Sequence, residues 1–95
     1  MSDIINAAVA VLNEKLGGGF GGTAKFDIAG EGSIIVDGDG ARAGDGDADV
    51  TLSADAETFQ GIISGEINPT SAFMGGQLSV DGDMGAAMQL GSLLG

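Results

Sequence analysis

Cysteine and histidine are both missing from this 95-residue chain. Without cysteine there is no disulfide framework and no thiolate metal site, as suits a reducing compartment. Without histidine there is no Ser-His or Cys-His nucleophile and no imidazole-bound zinc. Tryptophan and tyrosine are absent too, and the aromatics are four phenylalanines, so the core is expected to be aliphatic. Basic residues are scarce: Lys15, Lys25 and Arg42 stand against 14 acids, for a net charge of -11. Phosphate binding needs clustered Lys and Arg, so this balance excludes nucleic acid as a partner. It also argues against electrostatic docking on an anionic membrane. No apolar run approaches the ~18 residues of a spanning helix, and the start MSDII lacks the basic region of a secretory signal. The expected location is the cytoplasm.

What is present suffices for one domain over residues 1–95, with 43% hydrophobic residues and 19 glycines. A chain of this length builds a single modest core. Ile5, Ala8, Val9, Leu12 and Leu16 recur at helical spacing, which predicts an amphipathic helix from Ser2 or Asp3 to Leu16, stopped by Gly17. The following GGGFGG matches G-x-G-x-x-G at Gly17, Gly19 and Gly22, but after a helix and before a strand. A dinucleotide site requires the reverse order, so the segment reads as a connector.

From Thr23 the period becomes two. Ala24, Phe26 and Ile28 share one face, and Ile34 and Val36 repeat the pattern, with Ser33, Ile35 and Asp37 expected on the wet side. Ala29-Gly30-Glu31-Gly32 supplies a hairpin turn. Ala48, Val50, Leu52 and Ala54 alternate with Asp49, Thr51 and Ser53, which suggests an antiparallel sheet covered on one side. Asp55 is placed to cap a helix carrying Phe59, Ile62 and Ile63 and ending at Gly65. Asn68-Pro69 opens a short helix through Ala72, Phe73 and Met74. Gln77 to Asp81 forms a last strand with Leu78 and Val80 inward, and Asp83 caps a final helix. Strands and helices in separate runs predict an α+β fold, a mixed or antiparallel sheet with helices on one face.

The acidic tract Asp37 to Asp49 resembles a calcium loop only superficially. The frame from Asp45 has Val50 where the loop needs glycine and Ala56 where it needs a bidentate glutamate, and the frame from Asp37 has Ala41 at its fifth position. Asp-Gly dipeptides in a hairpin account for the tract, with weak cation binding as the alternative. Asp81 and Asp83 flank a glycine in a turn and cap, where solubility and capping explain them. No metal, cofactor or catalytic group is therefore expected, and the chain reads as a non-enzyme.

The remaining resource is apolar. Phe59, Ile62, Ile63, Phe73, Met74, Met84, Met88, Leu90, Leu93 and Leu94 lie on helices expected to cover one sheet face, with Leu78 pointing inward from the last strand. Such a stripe is ordinarily core. Two features point beyond that: methionine gathers where adaptable packing is useful, and Gly85 and Gly91 weaken the terminal helix as a cover.

The run GEINPTSAFMGGQLSVDGDMGAAMQL, with KFDI, SIIVDGDG and ADVTLSADAETFQGIISG, resembles the sterol carrier protein 2 family of lipid-transfer domains. That resemblance implies a five-stranded sheet with helices on one face enclosing an apolar tunnel. It implies carriage, without chemistry, of a fatty acyl chain, acyl-CoA, sterol-like or isoprenoid lipid by the eleven residues named above. Transient membrane or enzyme contact and a monomer or weak dimer accompany this reading. The alternative is an interaction or dimerisation module with a closed core, accessory to a lipid-metabolising enzyme. The sequence departs from the family pattern in its strongly acidic surface and in ending Leu93-Leu94-Gly95 without a peroxisomal tripeptide.

Overall fold

The computed structural model describes residues 3–16 and 21–94, the side chains of residues 16, 93 and 94 excepted. Of the expected connector at residues 17–22, residues 17–20 lie outside this range. Helix α1 (Asp3–Leu16) carries an acid in its first turn and Lys15 in its last, both favourable to the helix dipole. Of the five residues at helical spacing it buries Ile5, Ala8 and Leu12 and packs a half-buried Val9 against the same core, while the side chain of Leu16 lies outside the described residues.

Five strands follow the order β3-β2-β1-β4-β5: β1 (Ala24–Ala29), β2 (Gly32–Asp37), β3 (Gly40–Ala43), β4 (Val50–Asp55) and β5 (Ser79–Gly82). β1 and β2 form the expected hairpin, with Phe26 opposite Ile34. β4, however, runs parallel to β1, with Phe26 opposite Leu52, so the sheet is mixed rather than antiparallel. Period-two alternation reports which face is covered and is silent about strand direction. Two strand limits also shift: the expected start at Ala48 moves to Val50, and the last strand begins at Ser79 instead of Gln77.

The inner face is covered in chain order. α1 lies against β2 and β3, α2 (Ala56–Ser64) against β1 and β4, and α4 (Met84–Leu94) against β4 and β5, with α3 (Pro69–Met74) beside α4. Ala24, Phe26, Ile28, Ile34, Val36, Val50 and Leu52 meet Phe59, Ile62, Ile63 and Leu90 in one core. Apart from the exposed Ala29 at the end of β1, the outer face is polar with one exception. Ile35, expected to be wet, points outward yet is 5% exposed. It lies in register between Lys25 and Arg42, whose aliphatic stems are placed to shield it. Their charged ends pair with Asp45 at 2.9 Å and Asp37 at 2.8 Å. Both pairs are solvated and contribute little to stability.

Along the β3 edge of the sheet, the Asn13 carboxamide acts as a piece of strand. Its Nδ2 donates to the Ala41 carbonyl at 3.0 Å and its Oδ1 accepts from the Ala41 N–H at 2.7 Å. Gly40 permits this approach, since a Cβ there would stand 2.5 Å from Asn13 Oδ1.

Capping follows the sequence signals closely. The Asp55 carboxylate accepts from Thr58 N at 2.7 Å, and Gly65 ends α2 in the left-handed region at φ 87°. The backbone N–H of Thr58, then its hydroxyl, hold the Asp55 carboxyl below its ordinary value. A depressed folded-state value means the contribution is present above about pH 4, the unfolded carboxylate value, and fades as pH falls through the lower folded value. Asp55→Asn keeps a capping oxygen and removes the titration. It is expected to melt close to the wild type at pH 7 and above it near pH 3. Parallel thermal scans of the two proteins from pH 7 to 3 check the crossing.

Candidate apolar binding site

Asn68 starts the site. Its side-chain oxygen accepts from Thr70 N at 2.8 Å and Ser71 N at 3.2 Å, and Pro69 occupies the first turn of α3, where its missing N–H costs nothing. This short helix buries Ala72 and leaves Phe73 41% and Met74 80% exposed. Its end is tied back to the sheet, because the Ala72 carbonyl accepts from Gln77 N at 2.9 Å and Leu78 N at 3.1 Å. Leu78 is thereby held in the core at the entrance to β5.

Asp83 performs the same service for α4, its Oδ1 accepting from Gly85 N at 2.9 Å and Ala86 N at 3.3 Å. α4 buries Ala87 and Leu90 but leaves Met84 45% and Met88 73% exposed. Between α3, α4 and the sheet lies a cleft of about 530 Å³. Its floor is Phe26, Leu52, Ile62, Leu78, Val80 and Ala87, and its rim is Phe73, Met74, Met84 and Met88, with Asn68, Pro69, Thr70, Gly91 and Ser92 completing the wall. Among the described residues, the large hydrophobic side chains left exposed are Phe73, Met74, Met84 and Met88. All four line this one cleft.

Of the eleven candidate site residues, the structure brings six to the cleft: Ile62, Phe73, Met74, Leu78, Met84 and Met88. Phe59, Ile63 and Leu90 are placed elsewhere, in the closed core at 1%, 7% and 0% exposure. The side chains of Leu93 and Leu94 lie outside the described residues. Phe26, Leu52, Val80 and Ala87 line the cleft without having been proposed as binding residues. The alternation of the strands put the first three on the covered face. Which part of that face stays uncovered depends on the six-residue length of α3, and that is a tertiary fact.

A mixed five-stranded sheet with helices on a single face, joined in this order, is the arrangement that the motif from Gly65 to Leu90 implied; between them lies an open cleft where the resemblance implied a tunnel. The profile of the SCP-2 sterol transfer family matches residues 7–95. The chain belongs to the SCP-2 sterol transfer family. Hydroxysteroid dehydrogenase-like protein 2 is a relative in sequence: 36% identical over 92 residues in Bos taurus, covering 97% of this chain, and 32% identical over 102 residues in Danio rerio, covering 99%. The chain spans about a quarter of those relatives' length, 21% and 25%. Among solved structures, the sterol carrier protein domain 2 of Helicoverpa armigera superimposes with a TM-score of 0.75 at 25% identity, over 96% of this chain and 85% of that one. Sterol carrier protein 2 of Aedes aegypti, solved as a complex with palmitate, gives 0.79 at 19% identity, over 99% of this chain and 96% of that one. These likenesses fix an SCP-2 fold. Among the described residues, no helix is long and apolar enough to cross a membrane.

Proposed function

We propose that this SCP-2 domain binds one apolar lipid in the cleft between sheet, α3 and α4, and carries it without chemical change. The observation that supports this reading is the concentration of exposed apolar side chains around a single cavity. Leaving them in water forgoes the stabilisation of burial, about 25 cal/mol per Å² of apolar surface. Covering them with a lipid recovers it, and at ~0.8 kcal/mol per CH₂ a long acyl chain offers on the order of 10 kcal/mol gross. Association and ordering costs leave roughly micromolar binding.

The cavity's size supports the same reading. A sealed, empty cavity of about 530 Å³ would cost roughly 13 kcal/mol at ~24 cal/mol per Å³, as much as a small domain's whole stability. An open mouth avoids that cost while the site is unfilled. The palmitate complex of the Aedes aegypti protein accords with an acyl-shaped occupant, although at 19% identity it speaks for the fold and leaves the ligand to be measured.

Native mass spectrometry of gently purified protein is expected to show a retained lipid mass. Titrated long-chain lipid at ~100 times its Kd is expected to raise Tm by on the order of 10 °C. Met88→Asp puts a charge on the rim at a side chain 73% exposed, so folding is spared. Binding is expected to weaken about tenfold or more, from the lost apolar contact of a Met side chain. Asp45→Asn, on the outer face, is expected to bind like the wild type. Equal losses in both variants would misplace the site. A stable dimer whose melting ignores every lipid would favour the interaction-module reading.

A further inference from the structure

No basic side chain lines the cleft. Its polar lining is Asn68, Thr70 and Ser92, all neutral. Lys25 and Arg42 are on the opposite face of the sheet, bound to Asp45 and Asp37, and Lys15 is absent from the lining. The sequence has no other Lys or Arg, so residues outside the described range cannot supply one. Acids, by contrast, flank the lining along the chain: Asp83 precedes the lining residue Met84, and Glu66 is two residues before Asn68. The whole molecule adds a net charge of -11.

From this we infer that the cleft selects lipids with an uncharged polar end, such as an alcohol, ester or ketone, over the fatty-acid anion and the acyl-CoA thioester. The inference rests on the lipid-binding reading above. A carboxylate or a CoA phosphate at the mouth would find no counter-charge and would sit in the field of the acidic surface. A hydroxyl or carbonyl needs only neutral partners. Three are present: the amide NH₂ of Asn68, whose oxygen is already spent on capping α3, and the hydroxyls of Thr70 and Ser92. For a protein of this charge and size, repulsion is expected to weaken an anionic ligand roughly 5- to 10-fold at ~0.15 M ionic strength. The penalty grows several-fold more at ~0.01 M, as the Debye length lengthens from ~8 to ~30 Å.

The test compares dodecanol, dodecanoate and dodecanoyl-CoA at pH 7.5, each titrated at low and at physiological ionic strength, in wild type and in Ser92→Lys and Thr70→Lys. The expected result is that dodecanol binds tightest and its affinity is insensitive to salt. The two anions gain at least threefold on raising the salt, and either lysine variant narrows the gap between alcohol and carboxylate. Carboxylate binding as tight as alcohol binding, with no salt dependence and no response to the lysines, overturns the charge selection and leaves lipid binding standing. Failure of all three ligands to bind sinks both.

Discussion

Gly82→Ala is expected to lower the melting temperature by on the order of 10 to 20 °C. Gly82 closes β5 at φ 107°, a region that L side chains rarely adopt. A Cβ there would strike the Asp49 carbonyl oxygen and stand 3.0 Å from the Val50 Cα. Both are backbone atoms of the segment that pairs with it, Val50 being opposite Gly82. No rotamer change relieves such a clash, so β5 must separate from β4. The next link fails with it, since Asp83 N donates to the Asp49 carbonyl at 2.9 Å and the Asp83 side chain caps α4. Strain and lost pairing together come to roughly 2 to 4 kcal/mol, and each kcal/mol is worth ~4 to 8 °C in a domain of this size. Gly30→Ala serves as the control, because Gly30 also has positive φ, at 79°, but open space where its Cβ would be. If the two variants melt together, the packing argument is wrong and only backbone strain counts.

Phe59→Ala is expected to cost about 3 to 5 kcal/mol in urea unfolding, the range for emptying a buried aromatic site. The ring is 1% exposed and meets Phe26 at 5.2 Å between centroids, with the planes tilted by 52°. Phe26 is in turn part of the cleft floor, so Phe59 supports the site from behind. Phe73→Ala, at a ring 41% exposed, is expected to cost less than about 1 kcal/mol of stability while lowering lipid affinity more than any effect on Tm would suggest. The pair separates core from site. If Phe73→Ala destabilised the unliganded protein as much as Phe59→Ala, the division drawn between them would fail.

These residues also show what a sequence can disclose. Asp55, Gly65, Asn68-Pro69 and Asp83 are local signals whose hydrogen bonds close within a turn, so they marked helix ends that the structure reproduces. Likewise, Phe26, Leu52 and Val80 were assigned to the covered face by alternation alone. Direction and vacancy were not legible. The parallel pairing of β1 with β4 is set by where the chain crosses from β3, and no residue pattern encodes that. The burial of Ile35 fits its place in register between two long cations on adjacent strands, and that place becomes visible only once the register is known. Phe59 and Phe73 are equally apolar and both helical. Only the gap left between α3 and α4 separates a ring that supports the fold from a ring at the mouth of the cleft.

The carboxamide of Asn13 has a consequence of another kind. An edge strand turns the N–H and C=O of every second residue outward, a template on which another chain can add itself. On four-residue β3, one such pair belongs to Ala41, and the protein's own first helix already occupies it. The opposite edge, β5, is equally short and carries Asp81 and Gly82. Growth of the sheet from molecule to molecule is thus discouraged at one end by a built-in mimic of the missing neighbour and at the other by brevity and charge. A protein that keeps an oily mouth open in water has little margin for a second adhesive surface. Among the described residues, the large exposed apolar side chains gather at the one cleft proposed to hold a lipid.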